Sequence, residues 1–343
     1  MNVEWARFLT ENAAVISEGA VSHFGDKSME LSAAARVNII ADLSHLGIIE
    51  FSGEDAGAFL QGQLSCDVKA LSMNASAYGS YCSAKGRVLA TFLLWRTEPG
   101  YSMALARDIL PSIQKRLGMF VMRSKVKLED ASDRCVLAGL SSPNGEEHIA
   151  KHFPLVPADD HQGAVSENGL LLRLSQRRWV IVAGVKTAQK NWSVLQGAFT
   201  PVGAAAWGWL EIRAGVPWIT QATQDQFVPQ MINLELIGGV SFQKGCYPGQ
   251  EIVARTQYLG KLKRRMYLAN IVADAIPLPG TALYSEDLGD QASGMVVSAQ
   301  ASPTGGFDVL AVANSESISL SIVHTGTPQG PTLSPQPLPY SLK

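Results

Sequence analysis

The succession of short strands and helices between residues 120 and 200 constrains the fold more than any other feature of the sequence. Runs rich in β-branched and apolar residues predict strands, and runs with helical periodicity predict helices. In chain order these are strands at residues 125–128 and 135–140, a helix at 146–153, strands at 170–174 and 179–183, and a helix at 188–196. Residues 163–169 and 197–206 have loop-like composition. This order predicts a small, inserted α+β unit with an antiparallel, ferredoxin-like sheet.

The segments on either side of this block have different patterns. Residues 1–40 are predicted to be helical, and Lys85-Gly86 is predicted to form a tight turn between two strands. After Lys261 the chain becomes rich in turns, and we predict strands at residues 266–272, 282–284, 294–297, 307–312 and 317–323. Their spacing predicts a small terminal barrel or sandwich, followed by an extended proline-rich segment from Thr327. The chain as a whole is predicted to be an α+β protein.

Composition limits the classes of function. The 343 residues are enough for two or three domains, and the formal net charge of −2 argues against a protein that coats nucleic acid while permitting a local basic patch. No basic segment followed by an apolar run begins the chain, and no apolar stretch reaches the roughly 20 residues that span a bilayer. We therefore expect a soluble, cytoplasmic protein without a membrane partner, and a monomer because heptad repeats are absent.

The four cysteines are widely spaced and form no C-x-x-C pair, which favours reduced thiols in the cytoplasm over a disulfide framework. Cys66, Cys82 and Cys135 stand in apolar or strand-like runs and are predicted to be core residues. His148 and His152 lie four residues apart, but this spacing without an internal glutamate is a weak metal signal. We predict no metal site, and the solvated face of a helix explains the two histidines better.

The segment from Phe242 to Arg255 carries the most chemistry in the sequence. Gly245 and Gly249 flank Cys246 and remove side-chain bulk, so that backbone amides could approach a ligand closely. We interpret Cys246 as the functional thiol. The alternative is a glycine-rich hairpin with a buried, inert cysteine.

The same segment carries charged and polar side chains around this thiol. Lys244 and Arg255 supply positive charge, which lowers the pKa of a neighbouring thiol below about 8.5. Gln250 and Glu251 add an amide and a carboxylate, which suit the donor–acceptor edge of a heterocycle.

The string K-G-C-Y-x-G-Q-E-x-V-A-R at residues 244–255 resembles the signature of the YgfZ family. Other runs are similar to the same family in the same order, from about residue 42 to the C-terminus. They are residues 59–63, 67–68, 85–87, 212–217, 226–230, 233–234, 238–242 and 337–342. The resemblance therefore covers most of the chain, and the cysteine motif is its most specific part.

The resemblance implies a three-domain fold like that of the glycine-cleavage aminomethyltransferase, with domains around a central hole that binds tetrahydrofolate. We assign a discontinuous folate-binding core to residues 1–119 and 201–265, the inserted ferredoxin-like domain to 120–200, and a C-terminal β-barrel to 266–343. The resemblance, taken with the motif chemistry, assigns the folate site to Trp207, Leu46, Lys244, Gly245, Tyr247, Gly249, Gln250, Glu251 and Arg255.

Two of these positions involve the tryptophans that the family uses to bind folate. Trp207 falls at one such position, and its alternative role is core packing. The second tryptophan of the family would align near Leu46, so this chain departs from the pattern there and loses one stacking face. His45 or Trp5 are the residues that we consider as substitutes.

The resemblance implies an accessory factor rather than an enzyme. Aminomethyltransferases carry an aspartate after the lysine-glycine turn, whereas this chain has Ala90 and Thr91, which cannot act as carboxylates. The expected role is a folate-dependent factor for iron–sulfur enzymes, including those that thiolate tRNA. An aminomethyltransferase that takes its acid from Glu211 or Glu251 is the alternative.

Clustered cations raise direct tRNA binding as a third possibility. They are Arg255, Lys261, Lys263, Arg264 and Arg265 in one run, and Arg123, Lys125 and Lys127 in another. Such clusters bind tRNA phosphates or the polyglutamate tail of folate, or form the solvated face of a strand. No aromatic-rich RNA-recognition motif accompanies them, so we predict that tRNA is an indirect target.

Overall fold

The structure is a computed structural model that describes residues 1–98, 100–258, 260 and 262–342. The α-helices are α1 Val3–Glu11, α2 Lys27–Arg36, α3 Ala56–Gln61, α4 Leu110–Gly118, α5 Glu146–Ala150, α6 Val185–Leu195, α7 Ala204–Arg213, α8 Gln250–Tyr258 and α9 Ser315–Leu320. The strands are β1 Val15–Ser17, β2 Ala20–His23, β3 Ile39–Asp42, β4 Leu46–Ser52, β5 Ser76–Cys82, β6 Val88–Thr97, β7 Gly100–Ala106, β8 Lys127–Asp130, β9 Cys135–Ser141, β10 Gly163–Ser166, β11 Gly169–Ser175, β12 Arg178–Gly184, β13 Thr200–Val202, β14 Arg264–Ile271, β15 Ala282–Ser285, β16 Ala292–Ala301, β17 Phe307–Asn314, β18 Val323–Thr325 and β19 Leu333–Gln336.

The chain divides into two compact units. The first comprises Met1–Phe59, Lys69–Ala77 and Leu93–Gly208, and the second comprises Leu60–Val68, Tyr78–Phe92 and Trp209–Lys343. The finer, three-domain division stays a prediction. Among the described residues, none of the helices has both the length and the apolar character needed to cross a bilayer.

The first unit is built on a six-stranded sheet with the order β10-β11-β12-β9-β3-β13. Its neighbouring strands are antiparallel, except that β13 runs parallel to β3. Helix α6 packs on β9 and β12, and α1 packs on α6. The interior of this layer contains Trp5, Trp179 and Trp192, each at most 1% exposed. In a second sheet, β4 lies between β7 and β8 and pairs antiparallel with both.

The block between residues 120 and 200 has the predicted antiparallel character, with two differences. Strand β8, predicted as its first strand, pairs with β4, so that Leu128 lies opposite Phe51. Residues 163–166, which have loop-like composition, form β10 and pair with β11. Gly169 adopts a φ of +95°, and this left-handed conformation allows the tight return between these two strands.

The prediction of a helical N-terminus was wrong for residues 12–26, and also for residues 37–40, where the chain leaves α2 and enters β3. Ala13, Glu18 and Gly19 adopt positive φ values of +69°, +52° and +77°, which a helix does not tolerate. The chain therefore leaves α1 and forms the β1–β2 hairpin before α2 begins.

The second unit contains a curled, six-stranded antiparallel half-barrel with the order β18-β15-β16-β17-β14-β19. Irregular register in β15 and β16 increases the local twist, which favours curling. Both faces of the sheet are buried, because Leu268 and Leu310 belong to one apolar cluster while Ala269 and Val309 belong to another. The mixed α+β class and the C-terminal β structure predicted from the sequence are confirmed.

One predicted strand of this unit was wrong. Residues 317–323 were predicted as a strand, but residues 315–320 form α9 and only Val323–Thr325 is extended. The side chain of Asn314 caps the helix by accepting from the backbone N–H of Glu316 at 2.9 Å. Ser317 is buried in the helix and donates to the Asp287 carboxylate at 2.8 Å.

Candidate functional site

The cysteine motif forms a turn followed by helix α8. Gly249 adopts a φ of +79° immediately before the helix begins at Gln250. The backbone N–H of Val253 donates to the Gly249 carbonyl at 3.2 Å, and the buried Val253 side chain joins the apolar cluster against the half-barrel. The left-handed conformation of Gly249 thus sets the direction of α8.

Gly249 also packs directly against a second glycine from the Lys85-Gly86 turn. A Cβ atom on Gly249 would lie 2.5 Å from the Gly86 Cα atom and 2.5 Å from the Ser83 carbonyl oxygen. Gly86 itself has a φ of +69°, and the Gly86 N–H donates to Ser83 at 2.9 Å, as predicted for a tight turn. The lysine-glycine turn and the cysteine motif therefore meet backbone to backbone.

Lys244 anchors the motif to a third segment. Its ammonium donates to the backbone carbonyls of Leu64 at 2.5 Å and Cys66 at 2.8 Å. The Gln61 side chain shapes this loop by accepting from the Val68 N–H at 2.8 Å and donating to Asp67 at 3.0 Å. Segments that carry the family resemblance thus converge within the second unit, although they are up to 180 residues apart in the chain.

The environment of Lys244 differs from the sequence interpretation, which placed its charge beside Cys246. The side chain is only 8% exposed, and its ammonium lies 5.3 Å from the centre of the Tyr247 ring. Burial lowers the pKa of Lys244 to about 8, while Cys66 and Asp67 oppose this shift. Lys244 therefore acts on the motif as an anchor of its backbone.

We expect Lys244 to titrate near pH 8, well below the value of about 10.4 for a free lysine. Between these two pH values the folded protein binds fewer protons at this residue than the unfolded chain does. The contribution of Lys244 to stability therefore increases as the pH rises through this window, relative to a Lys244→Arg variant that stays charged. Carbon NMR of the lysine side chain measures the midpoint, and a midpoint above 10 would contradict the buried anchor.

Two thiols and a phenol lie beneath the turn. Cys66 and Cys82 are 2% and 1% exposed, which confirms their prediction as core residues, and burial raises the pKa of each to about 12. Burial also raises the pKa of Tyr247, and the two thiols contribute to that shift. The Tyr247 hydroxyl is buried and has no hydrogen-bond partner among the residues that the structure describes.

Cys246 lies on the solvent side of the same turn. Its residue is exposed, and a Cβ atom on the preceding Gly245 would meet no atom within 4 Å. Gly249 therefore serves close backbone packing, whereas Gly245 leaves the approach to Cys246 open. Cys135 is half-buried, and burial raises the pKa of its thiol to about 12.

This arrangement predicts selective thiol chemistry. In the native protein, a small disulfide reagent should modify Cys246 rapidly, because its thiol is exposed to solvent and a reacting thiol must be accessible. Cys66, Cys82 and Cys135 should react only on unfolding, because burial raises their pKa values to about 12. Reagent absorbance and peptide mass spectrometry measure this, and rapid modification of Cys66 would contradict the buried position.

The remaining predicted residues of the motif have separate roles. Gln250 donates to the Lys244 carbonyl at 3.4 Å, so its amide supports the turn. Glu251 and Arg255 are exposed on α8. The prediction that Glu251 and Arg255 bind a heterocycle stays a prediction.

The predicted tryptophan platform lies in the first unit. Trp207 is 1% exposed in α7, and a Cβ atom on Gly139 would lie 2.5 Å from its ring. Leu46 is 7% exposed at the start of β4. The indole of Trp5 is buried and donates to Asp42 at 2.7 Å, and burial lowers the pKa of His45 to about 4. These side chains pack as core residues, and the stacking role of Trp207 stays a prediction.

The second unit has a small aromatic space beside Thr91, one of the two positions where the sequence resemblance led us to look for an aspartate. Ala90 and Thr91 are buried in β6, and the Thr91 hydroxyl accepts from the backbone N–H of Ile219 at 2.9 Å. This space has no room for a water molecule, and its lining consists of Tyr78, Thr91, Phe92, Val216, Pro217, Trp218, Leu234 and Ile237. No side chain in this set carries a carboxylate. Glu211, considered above as a substitute acid, accepts instead from the Trp218 indole at 3.1 Å.

Several cations of the two predicted basic runs already pair with carboxylates of this chain. Arg265 is bonded to the buried carboxylate of Glu235, and Lys125 and Lys127 pair with Glu54 and Glu129. Lys261 lies outside the described residues. Across the described part of the chain, no three His, Cys, Asp or Glu side chains are grouped as a metal site would require.

Comparison with solved structures identifies the fold. The crystal structure of glycine cleavage system aminomethyltransferase T from Bartonella henselae matches this chain with a TM-score of 0.76 and 15% sequence identity, over 99% of this chain and 97% of that chain. The chain therefore has the aminomethyltransferase-like fold that the sequence predicts.

Comparison of sequences identifies the family. Residues 22–160 match the family described as the GCVT N-terminal domain. The tRNA-modifying protein YgfZ of Photorhabdus laumondii is 32% identical over 317 residues, which cover 91% of this chain and 95% of that protein. The tRNA-modifying protein YgfZ of Photobacterium profundum is 32% identical over 262 residues, 75% of this chain and 78% of that protein. On this similarity along nearly its whole length, the chain belongs to the YgfZ family.

Proposed function

We propose that this protein is a folate-binding accessory factor that supports iron–sulfur enzymes in tRNA modification, with Cys246 as its functional thiol. The observation that carries the proposal is the exposure of Cys246 on a turn that is held from two sides. Lys244 bonds this turn to the Leu64 and Cys66 carbonyls, and Gly249 packs on Gly86. Relatives named tRNA-modifying proteins support the biological context.

The second unit offers aromatic side chains on which the pterin ring of tetrahydrofolate would stack. Tyr78, Phe92 and Trp218 line an apolar space that has no room for a water molecule in this structure, so these side chains would have to move apart to admit the ring. The remainder of the ligand would lie outside this space. When bound, tetrahydrofolate supplies a carrier for a one-carbon unit.

The roles that we propose for Trp218, Thr91 and Cys246 are based on their positions. The indole of Trp218 donates to Glu211, and its ring forms one wall of this apolar space. Thr91 supports the wall by bonding the Ile219 backbone. Cys246 lies on the exposed turn and is the group that meets a protein client.

Calorimetry with tetrahydrofolate tests the folate part of the proposal. The wild-type chain should bind, and Trp218→Leu should bind about 2- to 10-fold more weakly, because an aromatic pair contributes about 0.5–1.5 kcal/mol. Tyr258→Leu is the matched control, since Tyr258 is 69% exposed on α8 and should leave affinity unchanged. Weaker binding by Trp207→Phe alone would place the ring on Trp207 instead. No binding by the wild-type chain would overturn the folate proposal.

A glycine-cleavage assay with the lipoyl carrier protein separates this proposal from the aminomethyltransferase alternative, which the similarity of fold favours. We expect no turnover, because Ala90 and Thr91 stand where the reaction needs an acid and are buried. Robust turnover by the wild-type chain would establish the enzyme alternative.

A further inference from the structure

We propose that a basic, apolar surface on the first unit docks a protein partner that presents apolar side chains bordered by carboxylates. This docking surface consists of Lys115, Arg116, Met119, Phe120, Met122 and Arg123. The inference rests on the proposed function, because the partner that it fits is one of the iron–sulfur enzymes that the protein serves.

The surface displays large apolar side chains to solvent. Met119, Phe120 and Met122 are 62%, 45% and 87% exposed, and they lie within four consecutive positions of the chain. Single exposed apolar residues are common, but several close together mark an interaction site. The core does not need these side chains, because α4 already buries Leu110, Ile113 and Leu117.

Hydrogen bonds fix the backbone of the segment that carries these exposed side chains. The Phe120 N–H donates to the Leu117 carbonyl at 3.0 Å, and the Ser124 N–H donates to Val121 at 2.8 Å. Just after this segment in the chain, the Lys125 N–H donates to the Asp55 carboxylate at 2.8 Å. Met122 adopts a φ of +46°, a conformation that a methionine rarely takes without compensation. The surface is therefore preorganised, which lowers the entropic cost of binding.

Its charge specifies the chemistry of the partner. Lys115, Arg116 and Arg123 are exposed and form no ion pair with any residue within the described ranges. The neighbouring Lys125 and Lys127, by contrast, are already paired with Glu54 and Glu129. The unpaired cations around the apolar centre complement carboxylates at the rim of a partner.

The exposed side chains favour a protein over RNA or a lipid surface. Single-stranded RNA is recognised by aromatic rings that stack on bases, and membrane-binding faces are typically rich in Trp, Phe and Leu. Two of the three exposed residues here are methionines, whose flexible thioether chains adapt to protein surfaces.

Interferometry between the full chain and a purified tRNA-thiolating iron–sulfur enzyme from the same organism tests the docking surface. Met119→Ser/Met122→Ser should weaken binding by about tenfold or more, since central apolar contacts dominate interface energy. Arg116→Glu/Arg123→Glu should weaken it similarly and reduce its dependence on salt. Met29→Ser is the matched control, because Met29 is 72% exposed on α2, and it should bind like the wild type.

The outcomes separate this inference from the proposed function. Unchanged enzyme binding by both double variants would overturn the docking surface, as would a loss confined to binding of tRNA or of phosphatidylglycerol vesicles. A loss of self-association alone would identify a second copy as the occupant and would overturn it as well. Tetrahydrofolate affinity should be unchanged in all these variants, so a failure of the folate proposal would be visible independently.

Discussion

Replacing Gly249 with alanine should lower the free energy of unfolding by about 2–5 kcal/mol, because two costs add. The residue adopts a φ of +79°, which costs an L-residue about 1–2 kcal/mol. The new Cβ atom would lie 2.5 Å from the Gly86 Cα atom and 2.5 Å from the Ser83 carbonyl oxygen. These are backbone atoms of a tight turn, so relief requires the turn itself to move, which adds about 1–3 kcal/mol.

Gly245→Ala is the matched control within the same motif. No atom lies within 4 Å of its Cβ position, so we expect a change of at most about 0.5 kcal/mol. Urea unfolding followed by circular dichroism measures both variants. Equal stability of Gly249→Ala and the wild type would show that the two glycines do not pack as described. A further consequence is altered reactivity of Cys246 in Gly249→Ala, since the displaced turn carries that thiol.

Replacing Asp308 with alanine should destabilise the second unit by about 3–5 kcal/mol, because it leaves buried donors and a cation without their partner. The carboxylate is 2% exposed and accepts from the Trp209 indole and the Asn270 amide, each at 2.8 Å. Arg213 lies 3.8 Å from the same carboxylate and also bonds to Gln336. Asp308 thereby joins the end of α7 to strands β14, β17 and β19.

Asp290→Ala provides the comparison, because Asp290 is exposed in the loop between β15 and β16 and should change stability little. Thermal unfolding and the fluorescence of the buried indoles report the difference between the two variants. A small effect of Asp308→Ala, comparable with that of Asp290→Ala, would contradict the role of this network.

The local sequence predicted those parts of the site that depend on neighbours in the chain. The apolar surroundings of Cys66 and Cys82 indicated burial, and the structure buries both. The tight turn at Lys85-Gly86 followed from its position between two strand-like runs, and Gly86 has a φ of +69°. The mixed α+β class likewise followed from the order of short apolar runs, because periodicity is a local property.

Contacts between distant segments could not be predicted in this way. The sequence places Lys244 two residues from Cys246, but its ammonium bonds to the Leu64 and Cys66 carbonyls instead. From the sequence, Gly249 was interpreted as leaving room for a ligand. In the structure, that room is taken by the backbone of Gly86. The resemblance of all these segments to one family was the available signal that they belong to one site.

Short elements were the other source of error. The apolar residues near Ile318 resemble a strand, but Asn314 is a good N-cap residue and marks the start of α9. In the N-terminal region, Gly19 was the signal for the β1–β2 hairpin. In both places a single capping or turn residue outweighed the hydrophobic pattern.

The central claim is that Cys246, presented on its anchored turn, is the thiol through which the protein supports tRNA modification. The most direct measurement is the amount of thiolated nucleosides in tRNA from cells of the native host whose chromosomal gene carries Cys246→Ser, determined by mass spectrometry. Cys135→Ser in the same gene is the control, because that thiol is half-buried and lies in the first unit. The account predicts that Cys246→Ser lowers thiolated nucleosides to the level of a deletion strain while Cys135→Ser does not. Wild-type levels in the Cys246→Ser strain would contradict it.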